Sequence, residues 1–132
     1  MKARFLLAAL LLTIASPPAH SANEEIWTVG ELYKACKIAE GADGNSPWPM
    51  LMAEQACHNY ISGYAHGFKF SLLVSGVENP LLCLKLGDDG DNQRLISTFM
   101  SWAELNADKS NYAVQLGVYS AFLLAFACPS LK

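Results

Sequence analysis

The side chains that could do chemistry are concentrated in one stretch, CHNYISGYAHGFKF, at positions 57–70. A cysteine beside a histidine could form a nucleophile–base pair, and cysteine with histidine could bind zinc. The spacing argues against both. His58 and His66 are eight residues apart, whereas two histidines that chelate zinc from one helix are four apart. On a helix, Cys57 points away from both histidines.

Other motifs for catalysis or metal binding are missing from the sequence. It contains no CxxC, no CxxCH and no GxSxG. The run DDGDN resembles the start of a calcium loop, but counting from Asp89 puts Arg94 at the glycine position and Met100 at the glutamate position. The sequence therefore predicts a protein that is not an enzyme, with no catalytic residues, metal or cofactor.

The N-terminus has the layout of a secretory signal peptide. Lys2 and Arg4 precede ten apolar residues, FLLAALLLTI, and small residues precede a cut after Ser21. Ten residues are too few to span a membrane, which takes about 20. We predict a signal peptide at 1–21 and a single domain at 22–132, with no membrane attachment after cleavage.

The charge of the exported part limits its partners. Without Lys2 and Arg4, seven basic side chains face twelve acidic ones, a net charge of −5 with histidine neutral. An acidic surface disfavours nucleic acid and anionic membranes, and it suits a basic protein partner.

The hydrophobic pattern predicts an all-α fold, a small disulfide-stapled bundle of four to five helices, with no strand signal. Thr28 and Glu31 form a capping-box pattern before the first helix, and Gly41 is a stop signal. The later helices are predicted from about Pro49 to Val74, over 93–106 with Asp91 or Asn92 as cap, and over 111–128 with Ser110 as cap.

A helical projection of the long helix places its histidines on a polar side and Cys57 on the buried side. The polar side comprises Glu54, Gln55, His58, Asn59, Ser62, Ala65, His66 and Lys69. The other side comprises Cys57, Tyr60, Ile61, Gly63, Tyr64, Gly67, Phe68 and Phe70. We expect Gly63 and Gly67 to allow close approach of another helix. The last helix is apolar nearly all round, so it is central or half of it meets a partner, which makes a homodimer plausible.

Four cysteines, Cys36, Cys57, Cys83 and Cys128, remain in the exported chain and predict two disulfides. Three connectivities are possible. The predicted helix order favours Cys36–Cys57 and Cys83–Cys128, because each pair would lie on neighbouring elements. On the chain-entropy model each bridge would contribute about 3–4 kcal/mol.

The segments around these cysteines resemble a known family. VGELYKAC looks like its first helix, CHNYISG its Cys-x-Gly-Tyr-x-x-Gly, LCLK its Phe-Cys-Leu-Pro, and AFACP its Phe-Pro-Cys. The chain departs from these motifs at Asn59, Lys85 and Ala127. The family is the Tai/Rap group of periplasmic type VI secretion immunity proteins, which neutralise peptidoglycan amidase toxins.

The resemblance implies a periplasmic helical protein, often a homodimer, that binds a secreted amidase effector and blocks its cleft. It implies structural positions for the four cysteines and for Tyr60 and Gly63. It does not specify the toxin-binding surface. We predict that surface from two loops, one carrying Trp48 and Met50, the other Asp88, Asp89 and Asp91, since tryptophan is a frequent hot spot and acids steer basic partners. The alternative is that Trp48 packs on the core and the acids are merely solvated.

Two other functions remain open from the sequence. One is a periplasmic acid-stress chaperone of the small helical, disulfide-bonded kind, which exposes apolar surface when its carboxylates are protonated. The other is a small secreted hydrolase that uses His58 or His66.

Overall fold

The computed structural model describes residues 26, 28–77, 81–84, 86–87 and 89–129, with the side chains of 89 and 90 excepted. The predicted signal peptide lies outside these residues. The described part folds into α1 (Val29–Ala39), α2 (Trp48–Ser75), α3 (Asp89–Leu105), a 3₁₀ turn (Ala107–Lys109) and α4 (Val114–Phe126). Within it, extended pairing is limited to isolated bridges. The all-α prediction is confirmed.

The start of α1 is fixed by a side-chain cap and by the connection between α3 and α4. The Glu31 amide donates to Thr28 Oγ1 at 3.3 Å, and the Thr28 amide donates to Glu31 Oε2 at 2.9 Å, so the predicted capping box is present. The amides of Val29 and Gly30 donate to the carbonyls of Tyr112 and Ser110 at 3.0 and 2.8 Å. Donors that a helix leaves unpaired at its first turn are therefore satisfied by a distant loop.

The long helix α2 lies within one residue of its predicted bounds at each end. Pro47 precedes Trp48 and Pro49 occupies the first turn, where proline costs no hydrogen bond. The helix ends at Gly76, which adopts φ 64°, a left-handed conformation that glycine reaches without a Cβ clash.

The predicted caps of α3 and α4 are wrong. Asp91 and Asn92 lie inside the first turn of α3, which begins at Asp89. Ser110 lies in the turn after the 3₁₀ segment, and α4 begins only at Val114. α4 begins later than predicted because of a tertiary contact. Ala113 is extended because it bridges Thr28 at the start of α1.

The core forms where α1, α3 and α4 meet one side of α2. Its largest fully buried side chains include Phe99 from α3 and Phe122 from α4. Tyr64 of α2 packs edge-on to Phe122, with ring centroids 6.2 Å apart, and Phe126 does the same from α4 at 5.8 Å. The Tyr64–Phe122 contact joins α2 to α4, and the Phe122–Phe126 contact lies within α4.

Both predicted disulfides are present. Cys36–Cys57 joins α1 to α2, and Cys83–Cys128 joins the segment before α3 to the end of α4. Backbone bonds reinforce the second bridge, because the Cys83 amide donates to the Phe126 carbonyl at 2.9 Å and the Cys128 amide to the Leu81 carbonyl at 3.1 Å. Two disulfides are typical of an oxidising compartment outside the cytoplasm. Among the described helices, none is both long and apolar enough to cross a membrane.

Gly117 is the tightest glycine contact in the described bundle. A Cβ at this position would lie 2.3 Å from Val29 Cγ2 and 3.3 Å from Trp102 Cζ3. We expect Gly117→Ala to destabilise the protein by about 1–2 kcal/mol, because overpacking outweighs the gain in helix propensity. Chemical denaturation would measure this. Gly67→Ala is the matched control, since a Cβ there meets no atom within 4 Å, and it should stabilise α2. An equal gain in stability for Gly117→Ala and Gly67→Ala would contradict the tight packing around Gly117.

Candidate interaction surface

The histidine-containing stretch lies along α2 and meets the first turn of α3. His66 is exposed, whereas His58 is half-buried with its Nδ1 3.3 Å from Nδ2 of Asn92. Cys57 is held in a disulfide and so has no free thiol. In the part of the chain that the structure describes, no group of three or more histidine, cysteine, aspartate or glutamate side chains could hold a metal ion.

The helical projection of α2 was wrong at several positions. Ala65, assigned to the polar side, is fully buried together with Cys57 and Ile61. Gly63, Gly67 and Phe70, assigned to the buried side, are exposed. Gly63 and Gly67 meet nothing within 4 Å of a Cβ position, so no described helix makes the expected close approach.

Tyr60 occupies the position that the resemblance marks as structural. It is half-buried and packs against the core. Burial raises the pKa of its hydroxyl, and the nearby Tyr64 raises that pKa further. Tyr60 therefore remains a neutral packing residue at physiological pH.

Trp48 and Met50 lie in the first turn of α2 rather than on a loop. The Trp48 side chain is 72% exposed, so it does not pack on the core. Met50 is half-buried, and its methyl group lies 3.5 Å from where a Cβ of Gly41 would be. The exposed indole offers apolar contact area to a partner, whereas Met50 lies about 200° around the helix from Trp48 and is not part of the same contact.

The acidic residues are located at the start of α3. Asp88 and the Asp89 side chain lie outside what the structure describes. Asp91 is half-buried, and Arg94 Nη2 lies 3.2 Å from its Oδ1. The guanidinium also sits 5.2 Å from the ring centroid of Phe126. Arg94 therefore offsets part of the Asp91 charge.

Trp48 and Asp91 lie on nearly the same side of the molecule. Asp91 lines a cavity of about 230 Å³ together with Ser62 and His66 of α2. Ser62 is fourteen residues after Trp48, hence about 21 Å along the helix and within about 40° around it. A standard interface of about 800 Å² per partner is roughly 30 Å across. Trp48 and Asp91 are therefore close enough to lie under a single protein partner.

A second surface, which we call the α3–α4 groove, was anticipated only by the apolar composition of α4. One side of α4 is buried, and the other exposes Leu116 and Leu124 at 60% and 79%. The groove has a volume of about 390 Å³. It is lined by Ser97, Thr98, Ser101, Trp102, Leu105, Ala121, Leu124 and Ala125. The sequence pattern left open whether α4 is central or half-exposed, and the structure shows that it is half-exposed.

No known protein family, no curated protein and no solved structure matches this chain.

Proposed function

We propose that the protein is a periplasmic immunity protein that binds a type VI secreted peptidoglycan amidase toxin and blocks it. The observation that carries the proposal is the set of four cysteine segments, which resemble those of the Tai/Rap immunity family in order and spacing. All four cysteines are used in two disulfides, which is consistent with the structural positions that the resemblance implies.

The chemistry of the surface supports a binding function. Trp48 is exposed at one point, and Asp91, which is half-buried and paired with Arg94, lies at another on nearly the same side. An apolar anchor with an acidic flank suits a partner that has an apolar recess bordered by basic groups. The protein would act by covering the catalytic cleft of the amidase, and it would supply no reacting group itself.

Binding to the secreted amidase encoded beside its gene tests the proposal. We expect calorimetry of the oxidised protein to give nanomolar affinity, with loss of peptidoglycan cleavage. Trp48→Ala should weaken binding about 30-fold or more, as for a hot-spot residue. Asp91→Asn should mainly slow association and reduce its dependence on salt.

Leu116→Ala is the matched control, since it removes an exposed apolar side chain on α4 instead. It should leave amidase affinity unchanged. Tight inhibition that survives Trp48→Ala would reject the proposed contact and retain the function. No binding to this effector or to a panel of peptidoglycan amidases would reject the function.

The alternative is the acid-stress chaperone. Within the described residues no carboxylate is buried, and the ion pairs of Lys37 with Glu40 and Glu104 are exposed. Protonating such groups would expose little new apolar surface. Circular dichroism and client aggregation at pH 2 and pH 7 separate the two functions, because a chaperone would protect its client only at the lower pH.

A further inference from the structure

A polar cavity, which we call the α2–α3 cavity, lies between the middle of α2 and the first turns of α3. It has a volume of about 230 Å³. Its walls are formed by Ser62, His66, Leu86, Gly87, Asp91, Asn92 and Leu95. Pockets that hold drug-sized ligands have volumes of about 300–1,000 Å³. The α2–α3 cavity is therefore sized for one small ring rather than for a large cofactor.

The Asn92 side chain in the wall of the cavity has an unpaired atom. Its Nδ2 lies 3.3 Å from Nδ1 of His58, whereas its Oδ1 is buried and has no hydrogen-bond partner among the described residues. Turning the amide over exchanges the two atoms and still leaves one of them unpaired. A buried polar atom without a partner costs free energy, and a ligand that pairs with it would recover this cost. A hydroxyl group suits either orientation, because it both donates and accepts.

The Ser62 hydroxyl, which is half-buried beside the same cavity, is also available. A serine inside a helix commonly donates to a carbonyl of the preceding turn. Ser75 and Ser120 each do so, to the carbonyl four residues before and at 2.7 Å. Ser62 makes no hydrogen bond to a described residue through its side chain. Its hydroxyl therefore remains free for a ligand in the cavity.

The charges at the cavity favour a neutral ligand. Asp91 is the only carboxylate among the described residues that line it, and none of these is a lysine or arginine. A full negative charge on Asp91 repels an anion more strongly than the roughly half charge of a helix N-terminus attracts one. A cation gains little, because Arg94 Nη2 lies 3.2 Å from Asp91 Oδ1 and offsets part of that charge. Asp91 Oδ2 has no partner among the described residues and remains an acceptor.

We propose that the α2–α3 cavity binds a single sugar ring through its hydroxyl groups. Adjacent hydroxyls can donate to the Asp91 carboxylate and exchange hydrogen bonds with the Asn92 amide and the Ser62 hydroxyl. Leu86 and Leu95 offer an apolar wall to the C–H face of the ring. A free monosaccharide and one unit of a glycan strand present the same chemistry to this site. Binding of the ring is separate from the proposed immunity function and does not depend on it.

Nuclear magnetic resonance titration of the ¹⁵N-labelled oxidised chain, without any effector, tests this inference. The probes are the methyl glycosides of glucose, galactose, mannose and N-acetylglucosamine, each added to about 100 mM. We expect at least one of them to shift the backbone amides of Gly87, Asp91 and Asn92 to saturation, with a dissociation constant of about 1–10 mM. Methylguanidinium and inorganic phosphate, a cation and an anion, should produce no saturating shift of these amides.

Two variants remove the site in different ways. Ser62→Leu should abolish the shifts by filling the cavity, and Asp91→Ala should weaken binding about 10-fold or more by removing the carboxylate acceptor. Ser71→Leu is the matched control for the first, since Ser71 is exposed on the opposite side of α2. Asp108→Ala is the control for the second, since Asp108 is exposed in the turn after α3. Both controls should bind like the parent, and all four variants should keep its circular dichroism spectrum.

Three results would overturn the inference. The first is the absence of saturating shifts with every glycoside. The second is equal binding by the parent and by Ser62→Leu. The third is saturation by methylguanidinium or phosphate and by no glycoside. If a glycoside binds, an oligosaccharide of the same sugar that binds more tightly would assign the site to a glycan strand, and equal affinity would assign it to a free sugar.

Discussion

Replacing Phe122 by alanine is expected to lower the free energy of unfolding by about 3–5 kcal/mol. The side chain is fully buried, and its ring contacts those of Tyr64 and Phe126 edge-on. The substitution leaves a cavity at the junction of α2 and α4 and removes both ring contacts. Urea denaturation followed by circular dichroism measures the change.

Leu124→Ala is the control for this prediction, because Leu124 lies on the same helix and is 79% exposed. Its effect should stay within about 0.5 kcal/mol. If the two variants lost equal stability, Phe122 would not be the core residue that the structure shows.

Removing either disulfide is expected to cause the second large loss of stability. Replacing both cysteines of a pair by alanine should cost about 3–4 kcal/mol, since the bridges span sequence separations of 21 and 45 residues and restrict the unfolded chain accordingly. Against a total stability of about 5–15 kcal/mol, the loss of both should unfold the protein at physiological temperature. Thermal denaturation of the two paired variants and of the fully reduced chain measures this.

The two bridges should differ in access to reductant. Cys36 and Cys57 are both 1% exposed, whereas Cys83 is exposed on the surface. Limited reduction followed by alkylation and mass spectrometry should therefore label Cys83 and Cys128 first. Labelling of Cys36 and Cys57 first would contradict the burial of that bridge.

Local rules predicted several features correctly because few residues decide them. The capping box of α1 depends on Thr28 and Glu31 alone. The end of α2, predicted near Val74, depends in the structure on the single glycine at position 76. The disulfide pairing also followed from element order, because short connections keep successive helices adjacent.

Predictions failed where a distant contact decides the local structure. Ser110 and Tyr112 look like the start of a helix, yet their carbonyls accept the first amides of α1, so α4 begins later. Ala65 and Phe70 were exchanged between faces because the projection of α2 had no information on where its neighbours lie. The bundle covers α2 on one side and ends before Phe70, which leaves that ring exposed.

The candidate surface was predictable in composition and not in arrangement. The sequence identified a tryptophan, Trp48, as a candidate contact residue, and it identified an acidic segment. Only the structure showed that Trp48 is exposed and that Asp91 pairs with Arg94. It also revealed the α3–α4 groove and the exposed apolar end of α2, which depend on how much of each helix its neighbours cover.

The sequence by itself determined the helical class and the two disulfides, because helix periodicity and cysteine count act over short ranges or through covalent bonds. The tertiary structure decided which side of each apolar helix is buried. Burial is set by the packing of all four helices together, and an apolar residue is equally suited to a core and to an interface. That is why Val118 and Leu124, on the same apolar helix, differ so completely in exposure.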